Sequence, residues 1–362
     1  MNNNNNKSAI KDKQMKKLLM SVAFALTATT AMADYTMIVP QKPGGGTSVW
    51  AEIVAAELEK FLGEDIVITH IPGARDIPGF DTWHNEMRDD DKVIMVSHGG
   101  NAVAFLEEEV AYNYAEYESV GLMNLNIIAG KLRGVDLDNG GIRFAAGSGM
   151  TPEAMAMTML VCGPDQTVDA YIACFKENVT WVNGMSGGER RLAFKRGELN
   201  GTRENPAAYK KHVEADENAE VWFHHGILQA DGSHADDPNY PGYLFEDLFE
   251  KRWGVAPSGD FYNAYNLARS FRDGLQKALW VNAGNPNLET LRNALTAMAN
   301  DPKSRAAIEK NVGQYEWLIG EEGNHQRDTL FAMINEQALK DLVKFNREAL
   351  GLDSVYKEDL VK

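Results

Sequence analysis

The chain has 362 residues, 44% of them hydrophobic and 24% charged, with 52 acidic against 36 basic side chains and a formal charge of −16. That length exceeds the roughly 250 to 300 residues at which one hydrophobic core stops growing, so two lobes are expected. The charge excludes sequence-independent attraction to nucleic-acid phosphates, and two cysteines exclude a disulfide scaffold or a four-cysteine zinc site.

Residues 1–14 are an Asn run and a polar stretch without packing pattern. From Met15 the chain reads Lys16-Lys17, an apolar run Leu18 to Leu26, then small residues ending in Ala31-Met32-Ala33. These are the parts of a secretory signal, with cleavage expected after Ala33. The apolar run is about half of the ~20 residues that span a bilayer. Removing residues 1–33 takes away five lysines and one aspartate, which leaves an exported chain of charge −20. An anion bound by such a chain must be held by locally placed donors, since the global field repels it.

Three strand-turn-helix units follow. Tyr35 to Val39 reads as a strand, Pro40 to Gly46 as a turn and Ser48 to Phe61 as a helix with the stripe Trp50, Ile53, Val54, Leu58, Phe61. Ile66 to Ile71 precedes the turn Pro72-Gly-Ala-Arg75 and a short helix near Phe80. Lys92 to Ser97 precedes His98-Gly-Gly-Asn101 and a helix from Ala102 to Glu109. Successive units of this kind imply an α/β fold with a parallel sheet covered on both faces, so the three turns share its carboxyl edge.

A second set contains the strand Ile142 to Ala146, the turn Gly147-Ser-Gly-Met and a helix with Thr151 as N-cap and Pro152 in its first turn. Val179 to Val182 is a further strand, Asn183 to Gly188 a turn, and Glu189 to Arg196 a helix; Glu220 to His224 is the last strand. The tail from Leu288 to Leu350 reads as helical and without strands, so it must pack on the first sheet. Residues 34–125 and 245–362 then form lobe 1 and 126–244 lobe 2, with two crossovers between them. In an oxidising compartment Cys162 and Cys174 can close a short loop. A structural disulfide is expected there, with two buried free thiols as the alternative.

Gly44-Gly-Gly46-Thr47-Ser48 fits neither the phosphate loop, which needs Gly-Lys-Ser/Thr at its end, nor the dinucleotide fingerprint, which needs glycine where Val49 stands. A glycine-rich entry to a helix still presents N–H groups at the positive end of a dipole, which suits a carboxylate. Three such turns facing two from a second lobe point to a ligand cleft, with Thr47, Ser48, Ser148 and Thr151 as further donors. Arg75 either forks onto a second carboxylate of the ligand or pairs with Asp76 or Asp81. For Arg203, ligand contact competes with pairing to Glu204, and Asn205 suits an N-cap. His98 either hydrogen-bonds the ligand or is a satisfied structural histidine. His224-His225 has no carboxylate or cysteine at metal spacing, and no metal or cofactor is expected.

The ordered set Ile38-Val-Pro40, Gly44-Gly-Gly46-Thr47, Pro72-Gly73-Ala74, Phe144-Ala-Ala-Gly147-Ser-Gly149, Gly187-Gly188, Arg196-Gly197-Glu-Leu-Asn200 and Ala256-Pro257-Ser-Gly259 resembles the receptor family of tripartite tricarboxylate transporters over most of the exported chain. The resemblance implies a monomeric periplasmic binding protein of the type II two-lobed fold, each lobe a mainly parallel sheet flanked by helices. It would close on a small organic carboxylate and deliver it to large and small integral membrane subunits. It also implies that Gly45, Gly46, Thr47, Ser48, Gly73 and Ala74 lie at the ligand. The sequence departs from the family at Arg75-Asp76, at Ser48-Val49-Trp50 and at His98-Gly-Gly-Asn101. The competing reading is an exported serine hydrolase with Ser148 as nucleophile and His98 or His224 as base, although Gly147-Ser148-Gly149 lacks the Gly-x-Ser-x-Gly elbow.

Overall fold

The computed structural model describes residues 34–147, 149 and 152–361; the signal sequence and its cleavage position lie outside them. Strand β1 (Tyr35–Val39) is paired in parallel with β2 (Ile66–His70) and β3 (Val93–Val96). Its side chains alternate between two cores. Tyr35, Met37 and Val39 pack under helix α1 (Gly46–Leu62), whereas Ile38 faces Phe80 of α2 (Ile77–Thr82) and Val103 and Leu106 of α3 (Gly99–Glu107). Both faces are covered over β1 and β3, whose residues are buried apart from Thr36, whereas β2 at the sheet edge leaves Val67 exposed. Helix α1 buries Trp50, Val54 and Leu58 at helical spacing and leaves Phe61 exposed, then ends on Gly63 with φ 76°.

Three further strands complete the sheet, the first running in the sense of β1 to β3 and the other two opposite to it. β4 (Tyr117–Met123) is followed by a second group: β5 (Ile128–Leu132), β6 (Ile142–Ala145), α4 (Pro152–Cys162), α5 (Val168–Asn178), β7 (Val179–Val182), α6 (Gly187–Lys195), β8 (Gly201–Glu204), α7 (Pro206–Tyr209) and β9 (Ala219–His224). A short hairpin β10 (Ile227–Leu228) with β11 (His234–Ala235) leads to α8 (Phe245–Trp253) and α9 (Asp260–Gly274). The chain then returns through β12 (Ala278–Asn282), α10 (Leu288–Asn300), α11 (Pro302–Val312), β13 (Trp317–Ile319), α12 (Glu321–Ala332) and α13 (Glu336–Glu348).

The first sheet has the order β13-β4-β12-β3-β1-β2, and β12 runs antiparallel to both β3 and β4. In the second group β8-β5-β9 is an antiparallel sheet, and parallel pairing is confined to β6 with β7. The expectation of mainly parallel sheets therefore holds only for β1 to β3 and β6 with β7. The tail is not strand-free either: β13 pairs with β4 at the sheet edge. This three-residue strand, half-buried at every position, carries too little pattern to be read.

Helices α9 and α13 pack on each other and reach both groups, α9 against α3 and α4 and α13 against α3 and α5. Among the described residues no helix is long and apolar enough to cross a membrane. The two cysteines form the expected disulfide, Cys162 to Cys174, tying the end of α4 to α5 with Cα atoms 6.3 Å apart. It closes a loop of sequence separation 12. Reduction should therefore lower the stability by about 3 kcal/mol, read as a lower urea midpoint with dithiothreitol, and Cys162→Ala with Cys174→Ala should abolish the reductant's effect.

Candidate functional site

Because β1, β2 and β3 run the same way, the turns after Val39, His70 and Val96 gather at one edge of the first sheet. Antiparallel β12 starts where they stop: Ser97 N donates to Ala278 O and Met123 N to Lys277 O. The turns after β6 and β7 and the end of β8 face that edge, and a cavity of about 1050 Å³ lies between. The walls come close at two places. A Cβ on Gly46 would stand 2.7 Å from Asn205 Nδ2, and one on Gly149 would stand 2.7 Å from Arg75 Nε.

Of the residues singled out in the sequence, Gly45, Gly46, Thr47, Gly73, Arg75, His98, Gly187, Gly188 and Arg203 line this cavity. Ala74 is exposed beside it. Ser48 is fully buried and turned away, its hydroxyl donating to Glu52 Oε1 at 2.8 Å and lying 2.9 Å from His70 Nε2. Ser148 and Thr151 lie outside the described residues.

The helix starts at the cavity are not equivalent. His98 caps α3 through a reciprocal arrangement with Asn101, and Ser186 caps α6 reciprocally with Glu189. Asn205 caps α7, accepting from Ala208 N at 3.0 Å. Gly45 gives α1 no side-chain cap, and no acidic residue stands in that helix's first turn. Gln41 Oε1 accepts from Thr47 N at 3.1 Å, so the positive end of this 17-residue helix is met by a neutral acceptor and by no acid of its own first turn.

Charge at the cavity opposes that of the whole chain. Eight Lys and Arg side chains line it against two carboxylates, Asp76 and Glu204. Most of those cations are matched by buried acids. Arg75 pairs with Glu107 and Glu108 at the end of α3 rather than with Asp76 or Asp81, and only its Nε lacks a partner. It is held there by a left-handed backbone, φ 54°, that few side chains adopt. Glu204 takes Arg190 and Arg191, so Arg203 is not its partner. Arg203 instead stands 4.0 Å from Glu153, which also accepts from Arg272 Nη1 at 2.5 Å. Burial pushes the Glu153 carboxyl up, but Arg272, Arg203 and His225 outweigh it and bring it down to about 2. Burial and then Arg272 lower Arg203 to about 9, still protonated at pH 7.

Lys277 differs from all of these. It is 3% exposed, its Nζ donates to Thr47 Oγ1 at 2.7 Å, and no carboxylate lies within ion-pair distance among the described residues. Burial lowers the amine to about 7 against the pull of Asp76. Asp76 is itself engaged by His98, whose ring is pushed down by burial, supported by Asp76, and pushed down further by Lys277 and Arg272. Lys277, Arg272 and Arg190 were not visible as site residues in the sequence. Lys277 stands at the foot of a strand hidden by its polar lead-in, Gln276-Lys277, and Arg272 sits on a helix whose register the sequence does not orient.

His224 and His225 do have carboxylate neighbours, brought from distant segments: Asp236 at 2.9 Å and Asp273 at 2.7 Å. Neither histidine lines the cavity. A second hollow of about 1230 Å³ is walled by five carboxylates, including Asp236, Glu316 and Glu321, against the single cation Arg305. Its field would repel an anion.

Two sheet groups thus meet over a glycine-walled, cation-rich cavity, a two-lobed α/β arrangement. The solved structures agree on the fold. The periplasmic binding protein BugD matches at TM-score 0.54 and 16% identity, over 87% of this chain and 97% of its own. MatC from Rhodopseudomonas palustris, with malate bound, matches at 0.52 and 16% over 87% and 98%. A further R. palustris protein, with adipate, matches at 0.56 and 13% over 89% and 98%. No protein-family profile and no curated protein sequence matches the chain.

A buried ammonium without a counter-charge destabilises the empty protein. Since the folded-state value of Lys277 is depressed to about 7 from 10.5, the penalty is full below pH 7 and is relieved as pH rises toward 10.5. Lys277→Met should therefore stabilise the ligand-free protein by about 1 to 4 kcal/mol at pH 6, and the gain in melting temperature should shrink steadily toward pH 10.

Proposed function

We propose that the chain is a periplasmic solute-binding receptor that captures a small carboxylate-containing organic anion in the cavity between its sheet groups and delivers it to the large and small membrane subunits of a tripartite tricarboxylate-type transporter. The observation that carries this reading is the eight-to-two excess of cations at the cavity of a chain whose net charge is −16. An ionised carboxylate leaving water loses several kcal/mol or more unless donors replace its hydration, and each charge-assisted hydrogen bond returns about 1.5 to 3 kcal/mol. The open start of α1, the turns at Gly73 and Gly187-Gly188, and the basic side chains supply such donors without a covalent step. The neighbours that hold malate and adipate share the fold, and the secretory signal read at Met15 to Ala33 fits export to the periplasm. In this reading residues 34–125 with 245–362 form one lobe and 126–244 the other, and the guest is enclosed between them.

The test is a thermal-shift screen of small mono-, di- and tricarboxylic acids, because a ligand bound only by the native form raises the melting temperature. At least one acid should shift it and be recovered chemically unchanged. Gly46→Val, which crowds Asn205 across the cavity, should weaken that acid by about tenfold or more in calorimetry with an unaltered circular dichroism spectrum. Turnover of an ester, or affinity untouched by the valine, contradicts the proposal.

A further inference from the structure

The cations that line the cavity differ in what already neutralises them. Arg75 has Glu107 and Glu108, Arg272 has Glu153, and Arg190 and Arg191 share Glu204. Lys277 has only a hydroxyl, Thr47 Oγ1, on the first turn of α1. That is the helix whose N-cap, Gly45, has no side chain and whose first turn has no acid, Thr47 N alone being met by the neutral Gln41 Oε1. A helix start without an acid and a cavity-lining amine, buried and with no carboxylate at ion-pair distance among the described residues, thus converge at the same corner.

We propose that Lys277 is the side-chain counter-charge for one carboxylate of the guest, and that the guest enters together with a proton taken from solvent onto that amine. The inference deepens the receptor reading and rests on it. The balance is simple: neutral amine, solvent proton and carboxylate give an ammonium-carboxylate pair, and no bond in the guest changes. The groups facing the amine are Thr47 from α1, Asp76 from the turn after β2, His98 at the start of α3 and Arg272 from α9. His98 and Asp76 hold each other, which leaves the amine as the group that gains a partner. Its ordinary value is displaced to about 7 when empty. A bound carboxylate raises it again, so affinity is greatest below pH 7 and falls as pH climbs past it.

The experiment is calorimetry on the mature protein with malate, adipate and inorganic sulfate as probes, at pH 6 and pH 8, in Tris and in HEPES. The wild type should take up close to one proton per bound organic anion at pH 8 and almost none at pH 6, and should bind about tenfold more weakly at pH 8. Lys277→Met should bind about 10- to 100-fold more weakly at pH 6 and lose the pH dependence. Lys277→Arg should recover much of the affinity without proton uptake, which assigns the proton to Lys277 rather than to His98. The wild-type proton count needs no variant to fold. If a probe binds wild type and Lys277→Met equally with no proton taken up, the role of Lys277 is overturned while the receptor reading stands. If no acid of the carboxylate screen raises the wild-type melting temperature at pH 6, both fall.

Discussion

Positive charge held out of water at the edge of the first sheet is the constraint around which the rest of the molecule is arranged. A chain with 52 acidic residues has no shortage of carboxylates, and it uses them selectively. Glu153, with no exposed surface, stands within 4.0 Å of Arg203, of Arg272 and of His225. Glu107, equally buried, holds Arg75 from behind. Each such pair removes a desolvation penalty that would otherwise reach several kcal/mol. Leaving Lys277 outside this scheme is therefore a departure from the local rule, and departures of that kind concentrate where a ligand completes the structure.

The scaffold that fixes these charges is assembled from residues far apart in sequence. Glu107 is oriented by Asn346 on α13 and by Ser354 beyond it, whose hydroxyl donates at 3.0 Å. The C-terminal segment thus sets the position of a carboxylate that in turn sets Arg75 at the cavity. Lys277 is placed by strand pairing on both sides, β12 lying between β3 and β4. The disulfide joins α4, whose Glu153 faces the cavity cations, to α5 behind it. Regular elements carry Arg190 and Arg191 on α6, Arg203 on β8 and Arg272 on α9, while Arg75 and Asp76 stand on the turn after β2.

How much of this could be read from sequence follows from which signals are local. The units β1 to α3 and the pair β6 with β7 were legible because apolar runs alternate with glycine turns and amphipathic helices. The strands β4, β5, β8, β12 and β13 were not. Their hydrogen-bond partners are distant and of opposite sense, and Gly201-Thr-Arg-Glu204 has no apolar pattern at all. The glycines, Arg75 and His98 were recognisable as cavity residues because they follow visible strands, and Arg203 because it stands just before the helix entry at Asn205-Pro206. Lys277 was not, because an antiparallel strand brings its first residue, not its last, to the edge where parallel strands end. The partners of Arg75 were equally hidden, since Glu107 lies 32 residues on and is reached only through the packing of α3 against the turn.

The same geometry gives the glycines a meaning that neither nucleotide motif supplies. Gly46 and Gly149 stand on opposite walls, and each meets a polar side chain of the other wall at a distance no Cβ would tolerate. The small residues therefore do two things at once: they open the start of α1 to solvent or guest, and they let the walls approach until Asn205 and Arg75 bridge them. A wider side chain at either place would separate the donors that a carboxylate needs to meet simultaneously. In the run Gly44 to Gly46 it is Gly46 that this approach requires, while Gly44 has open space and Gly45 meets only Gln41 and Lys42 of its own wall.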